Sequence, residues 1–177
     1  MLQITLEEMA SFPARFERTF RAVPSSHWNW APPSWEGVPS EQFTAIEQIC
    51  HVRDIEIDGY HVRLRRMLET ESPLLESIDS YEVAKQRGYG EANPEAVFAA
   101  IRAARERTLQ IIRPLSEKQL ARTGEFEGYG SLTVKSLIHY LCSHDQQHLS
   151  GLQWLLGKID GEVSMVSRRG SLLRSGA

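Results

Sequence analysis

The stretch LTVKSLIHYLCSHDQQHLSGLQWLLGKI, residues 132–159, decides how the chain folds. At about 100° per residue, Val134, Leu137, Ile138, Leu141, Leu152, Leu155, Leu156 and Ile159 share one stripe of a helix that opens near Thr133. A stripe that broad must be buried against other elements. His144, Asp145 and His148 fall within it, whereas His139 projects about 180° from His148 and is expected at the surface. Histidines at i and i+4 stand one turn apart on one face, the separation that lets two imidazoles hold one ion. The alternative is a pair of core histidines satisfied by carbonyls or carboxylates, since an unpartnered buried polar group costs about 1–3 kcal/mol. A third ligand from elsewhere would separate the two readings.

Working outward, helix signals dominate and no convincing alternating strand is found. A first helix is expected over about 5–22, kinked or split at Pro13. Residues 23–40, with four prolines and Trp28, Trp30 and Trp35, read as a loop that plugs the end of a bundle or lids its mouth. A second helix opens at Thr44, with Glu47 reaching back in a capping box, and runs to about Leu68. After a loop with polar turns over 71–92, Asn93 and Pro94 start a third helix to about Ile112, and a short helix follows Ser116. Four major helices in a chain of 177 residues predict one all-α domain, a four-helix bundle with long loops, over 1–163. Residues 164–177 form a polar basic tail.

Composition narrows the function. Twenty Lys plus Arg against 23 Asp plus Glu give a charge of -3, and no basic stripe is present, so a nucleic-acid partner is not expected. Arg63, Arg65 and Arg66, and Arg168, Arg169 and Arg174, read as a solvated helix face and a frayed terminus. No apolar run approaches the roughly 20 residues of a membrane span. Cys50 and Cys142 form no CxxC pair, and MLQITLEEM has no basic stretch followed by an apolar one, which together predict a cytoplasmic protein.

The third ligand has one leading candidate. On the second helix the main apolar stripe is Phe43, Ile46, Cys50, Ile57, Leu64 and Leu68, and His51, Asp54 and Asp58 share its flank. His61 lies near the same stripe as a rival, and His27 has no visible partner. Three neutral imidazoles would leave an open coordination position, as in catalytic sites. Asp54 and Asp145 are the sequence candidates for catalytic carboxylates that orient a ligand or accept a proton. Arg105, inside the stripe of Val97, Ile101, Ala104, Thr108 and Ile112, is the candidate for binding an anionic substrate, with pairing to a bundle carboxylate as its alternative. Cys50 reads as a core residue and not as a nucleophile.

EQFTAIEQICHVRDIEIDGYHVRLRRML (41–68) resembles the second helix of DinB/YfiT-like proteins, and the stretch quoted first resembles their last helix with its His-x-x-x-His. NPEAVFAAIRAARE (93–106) is similar to their third. The resemblance implies that His51, His144 and His148 bind one divalent ion, zinc or nickel, in a homodimeric four-helix bundle. It also implies a small-molecule substrate and an enzyme that uses the ion to activate a low-molecular-weight thiol, such as bacillithiol or mycothiol, or a water. A non-catalytic metal-binding stress-response bundle is the alternative, with a closed site completed by Asp54 or Asp145. Phe43 and Gly151 stand where the family often has Trp and Gln.

Overall fold

Thr44 begins the second helix as its sequence requires: its amide and its hydroxyl both donate to Glu47 Oε2 at 2.8 Å. The computed structural model describes the backbone of residues 2–174 and the side chains of 2–162. Its bundle consists of α1 (Leu2–Arg21), a second helical run, α5 (Pro94–Ile112) and α7 (Val134–Arg174). The second run is α2 (Ala45–Asp54), a π-helical turn (Ile55–Tyr60) and α3 (His61–Glu69) end to end. α5 opens on Asn93, whose side-chain oxygen accepts from the Ala96 amide at 3.2 Å with Pro94 behind it. α7 continues past the expected end at Ile159, and the basic side chains of the expected tail lie outside the described residues. Among the described residues no helix is long and apolar enough to cross a membrane.

Three expectations change. Pro13 neither splits nor ends α1. It lacks the N–H that would pair with the Met9 carbonyl, and Arg105 Nη1 donates to that carbonyl instead, at 2.7 Å. The π-helical turn carries one residue more than an α-helical turn, so the α-wheel fails within it, although Leu64 beyond it is buried as the wheel expects. Ile57, expected in the core, is 37% exposed, whereas Glu56 is 1% exposed. The segment around GEFEGYGS is a hairpin of β2 (Thr123–Phe126) and β3 (Gly130–Thr133), with Thr123 opposite Thr133 and Phe126 opposite Gly130. β1 (Leu74–Leu75) adds a parallel edge to β2. Strands this short show too little alternation for a pattern to register. The remaining pieces, α4 (Ser80–Gln86) and α6 (Glu117–Leu120), lie in the connections.

The apolar core has two lobes. One gathers Phe12, Phe16, Phe20, Ile49, Phe98 and Leu152, and the other Met9, Leu64, Met67, Leu109, Phe126 and Leu137. On the four bundle helices the change of lobe falls near Met9, Ile55, Arg105 and Asp145. A buried polar layer of Glu56, Arg105, Thr108 and Asp145 lies there, beside the histidines. Trp28, Trp30 and Trp35 pack against the first lobe, and Trp35 stacks on Trp154 at 5.9 Å, as a plug would.

Candidate metal centre

α2 presents His51, and α7 presents His144 and His148 one turn apart, so the two helices bring the Nε2 edges of three imidazoles together. His144 Nε2 lies 3.1 Å from His51 Nε2 and 3.2 Å from His148 Nε2. Nitrogens bound to one tetrahedral ion at 2.0–2.1 Å stand about 3.3 Å apart, so the spacing fits a shared ion. Glu41, on the loop before α2, completes the cluster: Oε2 is 3.2 Å from His148 Nε2, and Oε1 is 3.6 Å from His51 Nε2. These four donor atoms all lie within 4.8 Å of one another.

The hydrogen bonds around the cluster select the tautomer that a ligand needs. Gln48 donates through Nε2 to Ser40 Oγ at 2.9 Å and to the Phe43 carbonyl at 3.2 Å, which turns its oxygen toward His148. His148 Nδ1 therefore carries the proton and donates to Gln48 Oε1, leaving Nε2 as a lone pair aimed at the cluster. With the Nε2 atoms of all three rings turned toward one another and toward Glu41, a cation at their centre would be met by every one of these donors. A Cβ at Gly151 would sit 2.5 Å from Ser40 Oγ and 3.0 Å from Gln48 Nε2. The glycine where the family often has Gln thus makes room for Gln48.

Burial pulls His51 down to about 3, since a second imidazolium beside a protonated His148 would be repelled as well as desolvated. Burial also holds His144 well below the usual imidazole value, helped by the charges of its histidine neighbours, Arg63 and Arg105. Both rings are thus neutral, as ligands must be. Burial works to raise Glu41, but with His148 and His51 protonated, as in the metal-free protein at low pH, the hydrogen bond from His148 and the two imidazolium charges outweigh this and hold it at about 2. The buried ring of His148 and the partly exposed edges of His144 and Glu41 leave the cluster open on one side.

The other sequence candidates stand apart from the cluster. Asp54 accepts from Arg53 Nε at 2.5 Å and from the Tyr89 hydroxyl at 2.7 Å, and pairs with Arg87 at 2.9 Å. Those partners occupy its carboxylate, although with His51 it lines a cavity of about 260 Å³. Asp145 turns away from the histidines to Arg105. Arg105 is not a free substrate anchor: its donors go to Glu56 Oε1 at 2.8 Å and Oε2 at 3.1 Å, to Asp145 Oδ1 at 3.0 Å and to the Met9 carbonyl. Facing two carboxylates, the guanidinium neutralises one, and burial pushes Asp145 up to about 7 against the pull of Arg105. His61 binds Thr108 Oγ1 at 2.9 Å, His139 binds Thr5 Oγ1 at 2.9 Å, and neither reaches the cluster. His27 contacts Ser26 Oγ at 3.0 Å. Burial pushes the Cys50 thiol up to about 12, which suits a core residue.

Glu41, Gln48 and Glu56 are not among the residues expected from sequence. Glu41 lies on a loop with no periodicity to project it. Gln48, at i−3 from His51, was open to discovery as a partner on the same face.

Residues 9–151 match the family model of the DinB superfamily. YfiT from Bacillus subtilis, described as a probable metal-dependent hydrolase with an unusual four-helix bundle topology, has a similar structure, with a TM-score of 0.78. The match covers 89% of this chain and 87% of that chain at 16% identity, a likeness of fold. No curated protein matches the chain by sequence. With most of its length matched by the family model and with the same bundle, the chain belongs to the DinB superfamily.

Proposed function

We propose that the chain is a metal-dependent enzyme that hydrolyses a small-molecule substrate, with one divalent ion, zinc or nickel, held by His51, His144 and His148. The observation that carries this reading is the convergence of three Nε2 atoms and one carboxylate on a common point. Such an ion, when bound, lowers the pKa of a water or thiol and polarises a carbonyl. Gln48 fixes the tautomer of His148, and the tryptophan plug closes the adjacent end of the core. Glu41, on a loop and a third exposed, is placed to take the proton that a nucleophilic water must lose. This favours water over a small thiol, because a coordinated thiol loses its proton outright and needs no base.

A second reading has its own support: Glu41 stands at ligand range and can fill the fourth position of a closed, non-catalytic site. Replacing it separates the two. Zinc-loaded wild type is expected to hydrolyse members of a panel of activated esters and amides. Glu41→Gln is expected to keep its metal and lose about 10²–10⁴ in rate. Loss of the metal together with Glu41, in a wild type inactive on every substrate, would favour the closed site.

A further inference from the structure

Arg63 contradicts its expected place on a solvated face: it is 5% exposed. Its neighbours in sequence behave as expected, with Arg65 exposed and Arg66 paired with Glu76 at 3.3 Å. The other buried charges of the bundle have ion-pair partners, Asp54 in Arg53 and Arg87, and Glu56 and Asp145 in the one guanidinium of Arg105. Arg63 has no carboxylate partner among the described residues. Nε and Nη2 donate to one carbonyl, that of Glu76, at 3.3 and 2.8 Å, and the guanidinium lies 4.4 Å from the Phe126 ring centre and 5.5 Å from that of Tyr60. A carbonyl and two ring faces only partly replace the water that such a cation gives up.

The position of this cation suggests its use. Tyr60 closes the π-helical turn, and its ring centre is 6.3 Å from that of His144, the ligand with an exposed edge. Most of the Tyr60 side chain is buried, and its hydroxyl, which has no hydrogen-bond partner among the described residues, is not among the fully buried polar atoms and so reaches solvent. Tyr129 and Tyr140, 5.3 Å apart and well exposed, flank the same side. Gly59, beside Arg63 Nη1, has no side chain to push the guanidinium away, since a Cβ there would lie 2.8 Å from it.

We infer that Arg63, with the Tyr60 hydroxyl beside it, forms a subsite for a carboxylate of the substrate that reaches the metal centre past His144. The inference rests on the metal-dependent reading above. One guanidinium neutralises one negative charge, so a carboxylate fits and a phosphate dianion would leave a buried charge unmatched. The substrate class is accordingly a small carboxylic acid whose scissile group lies within a few bonds of its carboxylate.

Two measurements test it. In the first, zinc-loaded full-length protein is titrated calorimetrically with 3-mercaptopropionate against 3-mercapto-1-propanol, and with 6-mercaptohexanoate against 6-mercapto-1-hexanol. At the better chain length the acid is expected to bind about tenfold more tightly than the alcohol, and Arg63→Met to erase the difference. Tyr60→Phe, which keeps the ring, is expected to reduce it by about threefold. In the second, metal-free protein is melted in propionate, phosphate and chloride at equal ionic strength. Propionate is expected to raise the Tm of the wild type but not of Arg63→Met, whose Tm in chloride is expected to match or exceed that of the wild type. Equal acid-to-alcohol ratios in all three proteins, or a Tm shift with phosphate and none with propionate, would overturn the inference. Failure of zinc to bind would count against the metal reading alone, and the propionate melt would then decide the role of Arg63.

Discussion

Arg105→Met removes the one cation between two carboxylates that are each 1% exposed, Glu56 and Asp145. It also strips the Met9 carbonyl of the donor that Pro13 cannot supply. Breaking a buried ion pair from one side costs about 3–5 kcal/mol, because the remaining charge is left without compensation. Asp145, already raised to about 7, relieves part of this by taking a proton, so the lower half of that range is expected at neutral pH. For a chain of 177 residues, at about 2.1 cal/mol/K per residue, a loss of about 3–4 kcal/mol lowers Tm by about 8–11 °C. Scanning calorimetry of the metal-free protein measures it. The triple replacement Arg105→Met, Glu56→Gln, Asp145→Asn should recover most of the loss, since no charge then remains buried. A fall of less than about 2 °C for the single variant, or a triple variant as unstable as the single, would refute the keystone role and return Arg105 to substrate binding.

Gln48→Leu should fold normally yet bind zinc about 10–100-fold more weakly, as read by competition with a chromogenic chelator, because His148 loses the acceptor that fixes its tautomer. Gly151→Ala should weaken zinc binding in the same assay, since the added methyl group displaces Ser40 and Gln48. His51 and His144 have folded values below the unfolded value of 6.5, so the stability they contribute is complete above pH 6.5 and is lost as pH falls below it. Asp145, raised to about 7 from 3.8, acts in the opposite sense over the same interval. Urea denaturation of the metal-free protein should therefore show a net loss of about 1.4 kcal/mol per pH unit between pH 6 and 5, roughly doubled in Asp145→Asn. A flat profile in both proteins would contradict these shifts.

What the sequence made legible was whatever obeys α-helical periodicity. His144 and His148 stand out because i and i+4 share a face, and Thr44 with Glu47 announces a helix start that the structure keeps. The wheel loses its phase at the π-helical turn, which turns Glu56 inward and Ile57 outward. Nothing local in sequence marks that turn. Arg105 was visible as a charge on an apolar stripe, but its partners come from three other helices, so the choice between substrate and structure needed the packing. Glu41 owes its place to the path of a loop between the tryptophans and α2, and Arg63 to a hairpin that brings Phe126 over it. Both depend on contacts far apart in sequence.

The most direct test of the metal centre is elemental analysis of untagged protein purified without chelator, wild type beside His148→Ala. About one equivalent of a divalent metal is expected in the wild type and nearly none in the variant. A wild type free of metal even after incubation with zinc or nickel, or a variant that keeps the same metal content, would mean that the three imidazoles are satisfied core groups and not ligands.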